Sequence, residues 1–347
     1  MVSSATRTGT VGGDPTAGAV PARSDDPVPA TDLIAAADGG SVRALARLLT
    51  RIEAGGDPAA QVALALTGRP RGARIIGLTG PPGVGKSTVT TAMIGHLRAA
   101  GRRVAVLAVD PSSPFSGGAL LGDRVRMGQH AMDPGVFIRS MSSRGELGGL
   151  SAAAPAAADL FSAIGFDDVL VETVGVGQNE IAVMRLADTV LVVVAPGMGD
   201  GIQAAKAGIL EIADILVVNK SDHDGASATV RDLKGMVALG RTGTAVADQW
   251  REPVLSTIAT SGAGIDELLA ALADHRDHLL ARGGAADRRR QRAEVAVQAV
   301  VLDRVQAALA SADGRDLLAA AAADVADGDT DHHRAAASVL AWLGGRP

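Results

Sequence analysis

Residues 79–88 read TGPPGVGKST, and within them Gly80, Gly85, Lys86 and Ser87 keep the spacing G-x-x-x-x-G-K-[ST]. Glycines let successive backbone N–H groups turn inward, where they can meet phosphate oxygens. Lys86 supplies a mobile positive charge for β and γ phosphates, and the Ser87 hydroxyl is a hard oxygen ligand suited to Mg²⁺. A helix beginning near Ser87 adds the positive end of its dipole. Gly80, Pro81, Pro82, Gly83, Val84, Gly85, Lys86, Ser87 and Thr88 therefore form the expected cradle for a nucleotide polyphosphate.

A second stretch, ILVVNKSD, ends an apolar run with Asn219, Lys220 and Asp222, roughly 130 residues downstream. A carboxylate at Asp222 can accept hydrogen bonds from the N1–H and amino group of guanine. Adenine lacks that donor pair and would leave the carboxylate unpaired, a penalty that can discriminate by roughly 10⁴-fold. Lys220 can lay its methylene stem along the base, and Asn219 can tie this loop to the phosphate loop. In VLSTIATSGAGIDEL, backbone N–H groups at Ile258, Ala259 and Thr260 are placed to complete the base pocket. GTP and GDP are thus the expected ligands.

Carboxylates between these stretches complete the chemistry. VLVETVGVGQNE ends a strand-like run at Glu172, the position of the carboxylate that faces Mg²⁺, directly or through water, in phosphate-loop enzymes. Gly175 and Gly177, with Gln178, form a candidate switch that senses the γ-phosphate. Asp110 closes the strand after the phosphate-loop helix, and Asp123 follows a Ser/Pro/Gly-rich loop. Either can contact metal, water or the switch; the other reading is capping or turn formation. Lys86, Asp110, Asp123 and Glu172 make up the expected catalytic set, and Ser87, Asp110, Asp123 and Glu172 the expected metal set. SSRGELGGL around Arg144 reads equally as a second switch or a Gly-rich loop.

These residues need elements to hold them. RIIGLT, RVAVLAVD, VFIRSM, DVLVET, TVLVVVA, DILVVNK and PVLST are short apolar runs separated by helical stretches. Such runs are strands buried on both faces, so residues 71–282 are expected to be an α/β domain, a mainly parallel sheet flanked by helices in the manner of a P-loop NTPase. The functional signals sit at the C-terminal ends of the runs, where open α/β sheets bind ligands. Residues 1–30 lack periodicity and read as a disordered tail. Residues 31–70 read as a helical extension. In it Ser41 caps a helix with Val42, Leu45, Leu48, Leu49 and Ile52 on its apolar face, and Asp57 and Pro58 open the next helix. Residues 283–347 read as a helical arm, with Val295, Ala299, Leu302, Val305 and Leu309 along one stripe that seeks a partner surface. Arg288 to Arg290 and Arg292 read as a solvated helix start, and His332 with His333 as exposed helix.

Composition narrows the function. The 347 residues are 47% hydrophobic, enough for a sizeable core, and the net charge of −5 argues against a general nucleic-acid binder. No cysteine is present, so disulfides, thiolate metal sites and cysteine nucleophiles are excluded. No apolar run has signal-peptide or membrane-spanning length, so a cytoplasmic protein that does not enter membranes is expected.

Together, GPPGVGKST, DPSSPFSGGALLGDRVRM, SRGELGGL, VETVGVGQNE and NKSD resemble, in order, the methylmalonyl-CoA mutase-associated GTPase family, also labelled ArgK-like, over roughly residues 32–310. The resemblance implies Mg²⁺-dependent GTP hydrolysis and a homodimer formed through the C-terminal arm. It also implies service to adenosylcobalamin-dependent methylmalonyl-CoA mutase, with the GTPase gating cofactor loading and protecting the mutase; related acyl-CoA mutases would serve as well. The chain departs from the family at Ile258 and Ala259, where a Ser-Ala or Ser-Gly pair is usual. Two other readings compete. A nickel-type metallochaperone GTPase needs Cys or His clusters, and here the seven His are scattered apart from one adjacent pair. A GTP-dependent kinase of a transport system needs a protein-acceptor site that no residue marks.

Overall fold

The computed structural model describes residues 28–111, 128–130, 132–143, 153–173, 184–197, 212–239 and 250–345. Seven apolar runs become strands: β1 (Arg74–Thr79), β2 (Val104–Pro111), β3 (Val136–Ser143), β4 (Asp168–Thr173), β5 (Thr189–Val194), β6 (Ile215–Val218) and β7 (Val254–Ser256). They form one sheet in the order β3-β2-β4-β1-β5-β6-β7, and every pairing is parallel. Every residue of β4, β5 and β6 is buried, as expected for strands covered on both faces. β1 and β4 lie side by side with Leu78 opposite Glu172, which brings the phosphate loop beside that carboxylate.

Helices α4 (Lys86–Ala99), α5 (Ala153–Ala163), α6 (Ala226–Leu239) and α7 (Ile265–Ala281) flank the sheet. Two apolar layers result. One packs α4 and α7 on the sheet through Val89, Met93, Leu268 and Leu272. The other packs α5 and an N-terminal helical layer on the opposite face, with Phe161 in contact with Phe137 and Phe166.

The N-terminal layer is α1 (Ala30–Asp38), α2 (Val42–Ala54) and α3 (Gly56–Ala65). Ser41 caps α2 by accepting the Ala44 N–H, and Leu45, Leu48, Leu49 and Ile52 are buried as the spacing predicts. α3 departs from expectation. It starts at Gly56, so Asp57 lies inside the first turn and makes no capping bond. There the carboxylate faces the positive end of the helix dipole instead. α1 begins at Ala30, one residue inside the expected tail; the rest of that reading, residues 1–27, lies outside the described residues.

The C-terminal segment forms α8 (Gly284–Ala310), α9 (Ala312–Ala326) and α10 (His332–Gly344). Left-handed Gly283 separates α7 from α8. Two expectations for α8 are corrected. Arg288 and Arg292 are not a solvated helix start: Arg288 pairs with Asp214 at 2.8 Å, and Arg292 pairs with Asp188. The carboxylates belong to the ends of sheet strands, which no spacing rule links to α8. The apolar stripe is also divided. Val295 packs on the core and Ala299 is buried, whereas Leu302 is exposed alongside Val297, Val300 and Val301. Among the described residues no single helix is long and apolar enough to cross a membrane.

Candidate functional site

The site is built at the C-terminal edge of the sheet, where β1, β4, β6 and β7 end. β1 runs into a loop whose backbone only glycine tolerates at two points. Gly80 has φ of 141°, and a Cβ there would stand 2.0 Å from the Val193 carbonyl oxygen of β5. Gly85 has φ of 93°, and its Cβ would stand 2.5 Å from Asn219 Nδ2. The loop is therefore wedged between β5 and the Asn219 loop, and it delivers the chain directly into α4, whose first residue is Lys86.

Lys86 and Ser87 are buried. Lys86 Nζ donates to the carbonyls of Gly80 at 2.7 Å and Pro81 at 3.2 Å, so the ammonium curls over its own loop, where phosphate oxygens would lie. Ser87 Oγ donates to Glu172 Oε1 at 2.5 Å, and Thr90 Oγ1 donates to Glu172 Oε2 at 3.0 Å. Glu172 is 1% exposed. Both carboxylate oxygens of Glu172 are thus hydrogen-bonded, as a polar group so deep in the fold requires. The hydroxyl and the carboxylate, both hard oxygen donors in contact, fit a Mg²⁺ ion shared with bound phosphates. Thr90 was missed by sequence reasoning. Its signal is spacing: one turn after Ser87, it lies on the same helix face.

β6 is followed at once by Asn219, which is 2% exposed and joins three segments. Its Nδ2 donates to the Val84 carbonyl at 2.9 Å; its Oδ1 accepts from Ala259 N at 3.1 Å and from Thr257 Oγ1 at 3.2 Å. The expected tie between the base loop and the phosphate loop is present, and it extends to the segment after β7. Thr257, buried to 1% exposure, is the second group that sequence reasoning passed over. Lys220 has φ of 57°, the sole positive φ of a non-glycine among the described residues, and its Nζ donates to the Gly83 carbonyl at 2.8 Å. The left-handed turn swings the lysine stem back over the phosphate loop. Asp222 follows at the exposed surface of the same turn.

The fifth segment is arranged differently from expectation. Ile258 N–H donates to Ala263 O at 2.9 Å, and Ala259 N–H is taken by Asn219. Of the three N–H groups assigned to the base, these two are engaged within the protein: the Gly262 and Gly264 turn folds back to claim Ile258, and Asn219 claims Ala259. Thr260 lies at its exposed tip. Asp110 sits at the end of β2, paired in register with Ser142 of β3. Asp123, Gly175, Gly177, Gln178 and the segment around Arg144 lie outside the described residues.

A phosphate loop on β1, a buried carboxylate on the adjacent parallel strand and an Asn-Lys-x-Asp turn on β6 define a P-loop GTPase. The comparisons narrow the class. The family described as "Methylmalonyl Co-A mutase-associated GTPase MeaB" matches residues 45–314, and the chain belongs to that family. A Mycobacterium tuberculosis relative named a probable GTPase is 41% identical over 299 residues, covering 83% of this chain and 88% of that one. GTPase ArgK of Escherichia coli is 42% identical over 212 residues, 60% of this chain and 63% of that protein. The mouse mitochondrial methylmalonic aciduria type A homolog is 39% identical over 220 residues, 63% of this chain and 53% of its own length. Among solved structures, one titled LAO/AO transport system kinase aligns with a TM-score of 0.64 at 25% identity, covering 92% of this chain and 99% of that one.

Proposed function

We propose that this GTPase is a slow, Mg²⁺-dependent molecular clock that gates adenosylcobalamin loading onto methylmalonyl-CoA mutase, or a related acyl-CoA mutase, and protects that enzyme. The observation that carries the reading is the buried contact of Ser87 with Glu172 beside the phosphate loop, in a chain of a mutase-associated family. Lys86 exchanges the Gly80 and Pro81 carbonyls for β and γ oxygens and stabilises the charge that develops on the transferred phosphoryl group. Ser87 and Glu172, with Asp110 and Asp123 as the remaining candidates, would hold Mg²⁺, which when bound neutralises the polyphosphate. Asn219 keeps the phosphate loop and the base turn in one frame, so that Asp222 reads guanine at a fixed distance from Lys86.

Slow turnover follows from what the site lacks in sequence. The residue after Gly175 is Val176, which cannot orient water, and spacing identifies none of the motif arginines Arg124, Arg126 and Arg144 as a finger. GTPases without a positioned finger turn over at roughly 10⁻²–10⁻⁴ s⁻¹. The GTP state then persists until a partner completes the geometry. Single-turnover hydrolysis is expected to be well below about 1 s⁻¹ for the isolated protein and to accelerate when the cognate mutase is added. Fast hydrolysis that the mutase leaves unchanged would refute the clock. Phosphoprotein in place of free phosphate would favour the kinase reading.

A further inference from the structure

At the opposite edge of the sheet, α8 covers two adjoining cavities, one of about 130 Å³ shared with α7 and one of about 250 Å³ shared with α5. A cavity of ~150 Å³ holds a benzene-sized molecule; the second exceeds that and the first adjoins it, so together they have room for a small ligand. Five arginines line the first: Arg71, Arg74, Arg276, Arg289 and Arg292. Three of them, Arg71, Arg289 and Arg292, also line the second. Three of the five are neutralised: Arg74 by Asp168 at 2.6 Å, Arg71 by Asp159 at 2.9 Å, and Arg292 by Asp188. Arg276 of α7 and Arg289 of α8 have no ion pair among the described residues, which leaves two positive charges over the recess. The recess lies about 20 Å from the phosphate loop, the length of β1 at ~3.3 Å per residue.

We infer that this recess is a second anion site, taking a small ligand with two or more phosphate groups. The guanidinium fork matches phosphate oxygens in pairs, and its weak hydration lowers the cost of taking it out of water. Because Arg276 stands on α7 and Arg289 on α8, one ligand meeting both ties the arm to a helix packed on the sheet. The site is independent of the nucleotide reading, and its failure leaves that reading untouched.

The test uses the full chain with saturating GDP and Mg²⁺, so that the phosphate loop is already filled. Calorimetric titration with inorganic tripolyphosphate is expected to show saturable binding. Replacing Arg276 and Arg289 together by alanine should weaken it at least tenfold while GDP affinity stays unchanged. Removing the same charge at Arg43 and Arg47, exposed on α2, should leave it intact. Absence of binding, equal binding by the Arg276/Arg289 variant, or equal weakening by the α2 control would each overturn the site. Binding to vesicles of anionic lipid but not to tripolyphosphate would overturn the small-ligand assignment.

Discussion

Asn219 is the side chain on which the nucleotide site converges. Asn219→Ala strips the Val84 carbonyl and the Ala259 N–H of a buried partner. Each unsatisfied group costs about 1–3 kcal/mol, so a loss of about 2–6 kcal/mol is expected. Urea unfolding measures that loss, and calorimetry should show weaker GTP binding in the same variant. A side chain that merely filled space would change stability by far less. Asp222 behaves oppositely, because it lies at the exposed surface and supports no element. Asp222→Asn should leave the melting curve in place, weaken GTP strongly and admit xanthine nucleotide, whose carbonyl replaces the guanine amino group and suits an amide donor. Calorimetry with GTP, ATP and XTP decides it, and tighter binding of ATP than GTP by the unmodified chain would overturn the guanine assignment.

At the scale of elements, α8 is fastened to the sheet where β6 and β5 begin. Asp214 accepts Val190 N–H and pairs with Arg288; Asp188 accepts Ile75 N–H and pairs with Arg292. His275 of α7 sits inside the first cluster, hydrogen-bonded to Thr189 Oγ1 at 2.8 Å and in tilted ring contact with Trp250. It lies 3.4 Å from Asp214, yet its pKa falls to about 4: burial disfavours the cation, and the charges of Arg288 and His278 add to the effect. Asp214 cannot reverse this, since Arg288 already occupies it. Below pH 6.5 the unfolded chain binds this proton and the folded chain does not, down to about pH 4. Stability from this site is therefore complete above pH 6.5 and declines as pH falls through that window, by about 2 kcal/mol at pH 5. His275→Gln, which can keep a hydrogen bond to Thr189, should flatten that part of the profile in thermal melts at pH 7.5 and 5. An unchanged profile would show that His275 titrates normally.

At the scale of the whole molecule, α8 carries its remaining apolar side chains outward. Val297, Val300, Val301 and Leu302 are 64, 45, 53 and 44% exposed on adjacent turns. In a monomer they would form a wet apolar face along the arm, and burying such a side chain contributes about 1.5–3 kcal/mol. A homodimer formed through this face is the expected state. Val301→Glu should turn it into a monomer at micromolar concentration in sedimentation, with its melting curve preserved. A monomeric unmodified chain would remove the arm from dimerisation.

Much of this protein was legible in its residues. The strands could be read because a sheet covered on both faces demands continuous apolar runs, and RIIGLT, DVLVET and TVLVVVA leave little else for the chain to do. The phosphate loop and the Asn219 turn could be read because phosphate and guanine dictate fixed residue types at fixed local spacing. Contacts between distant segments could not. Ser87 and Thr90 meet Glu172 only because β1 and β4 are neighbours in the sheet, an adjacency set by the order of crossovers. The N–H groups at Ile258 and Ala259 were expected to face the base, but a turn closed by Gly264 claims one and Asn219 the other. Arg288 and Arg292 looked solvated because local spacing holds no record of Asp214 and Asp188, carboxylates about 75 and 105 residues away. Local chemistry is written in the sequence because neighbouring residues share a backbone geometry; charge pairing and shared hydrogen bonds are decided by the packing that brings separate elements within 3 Å.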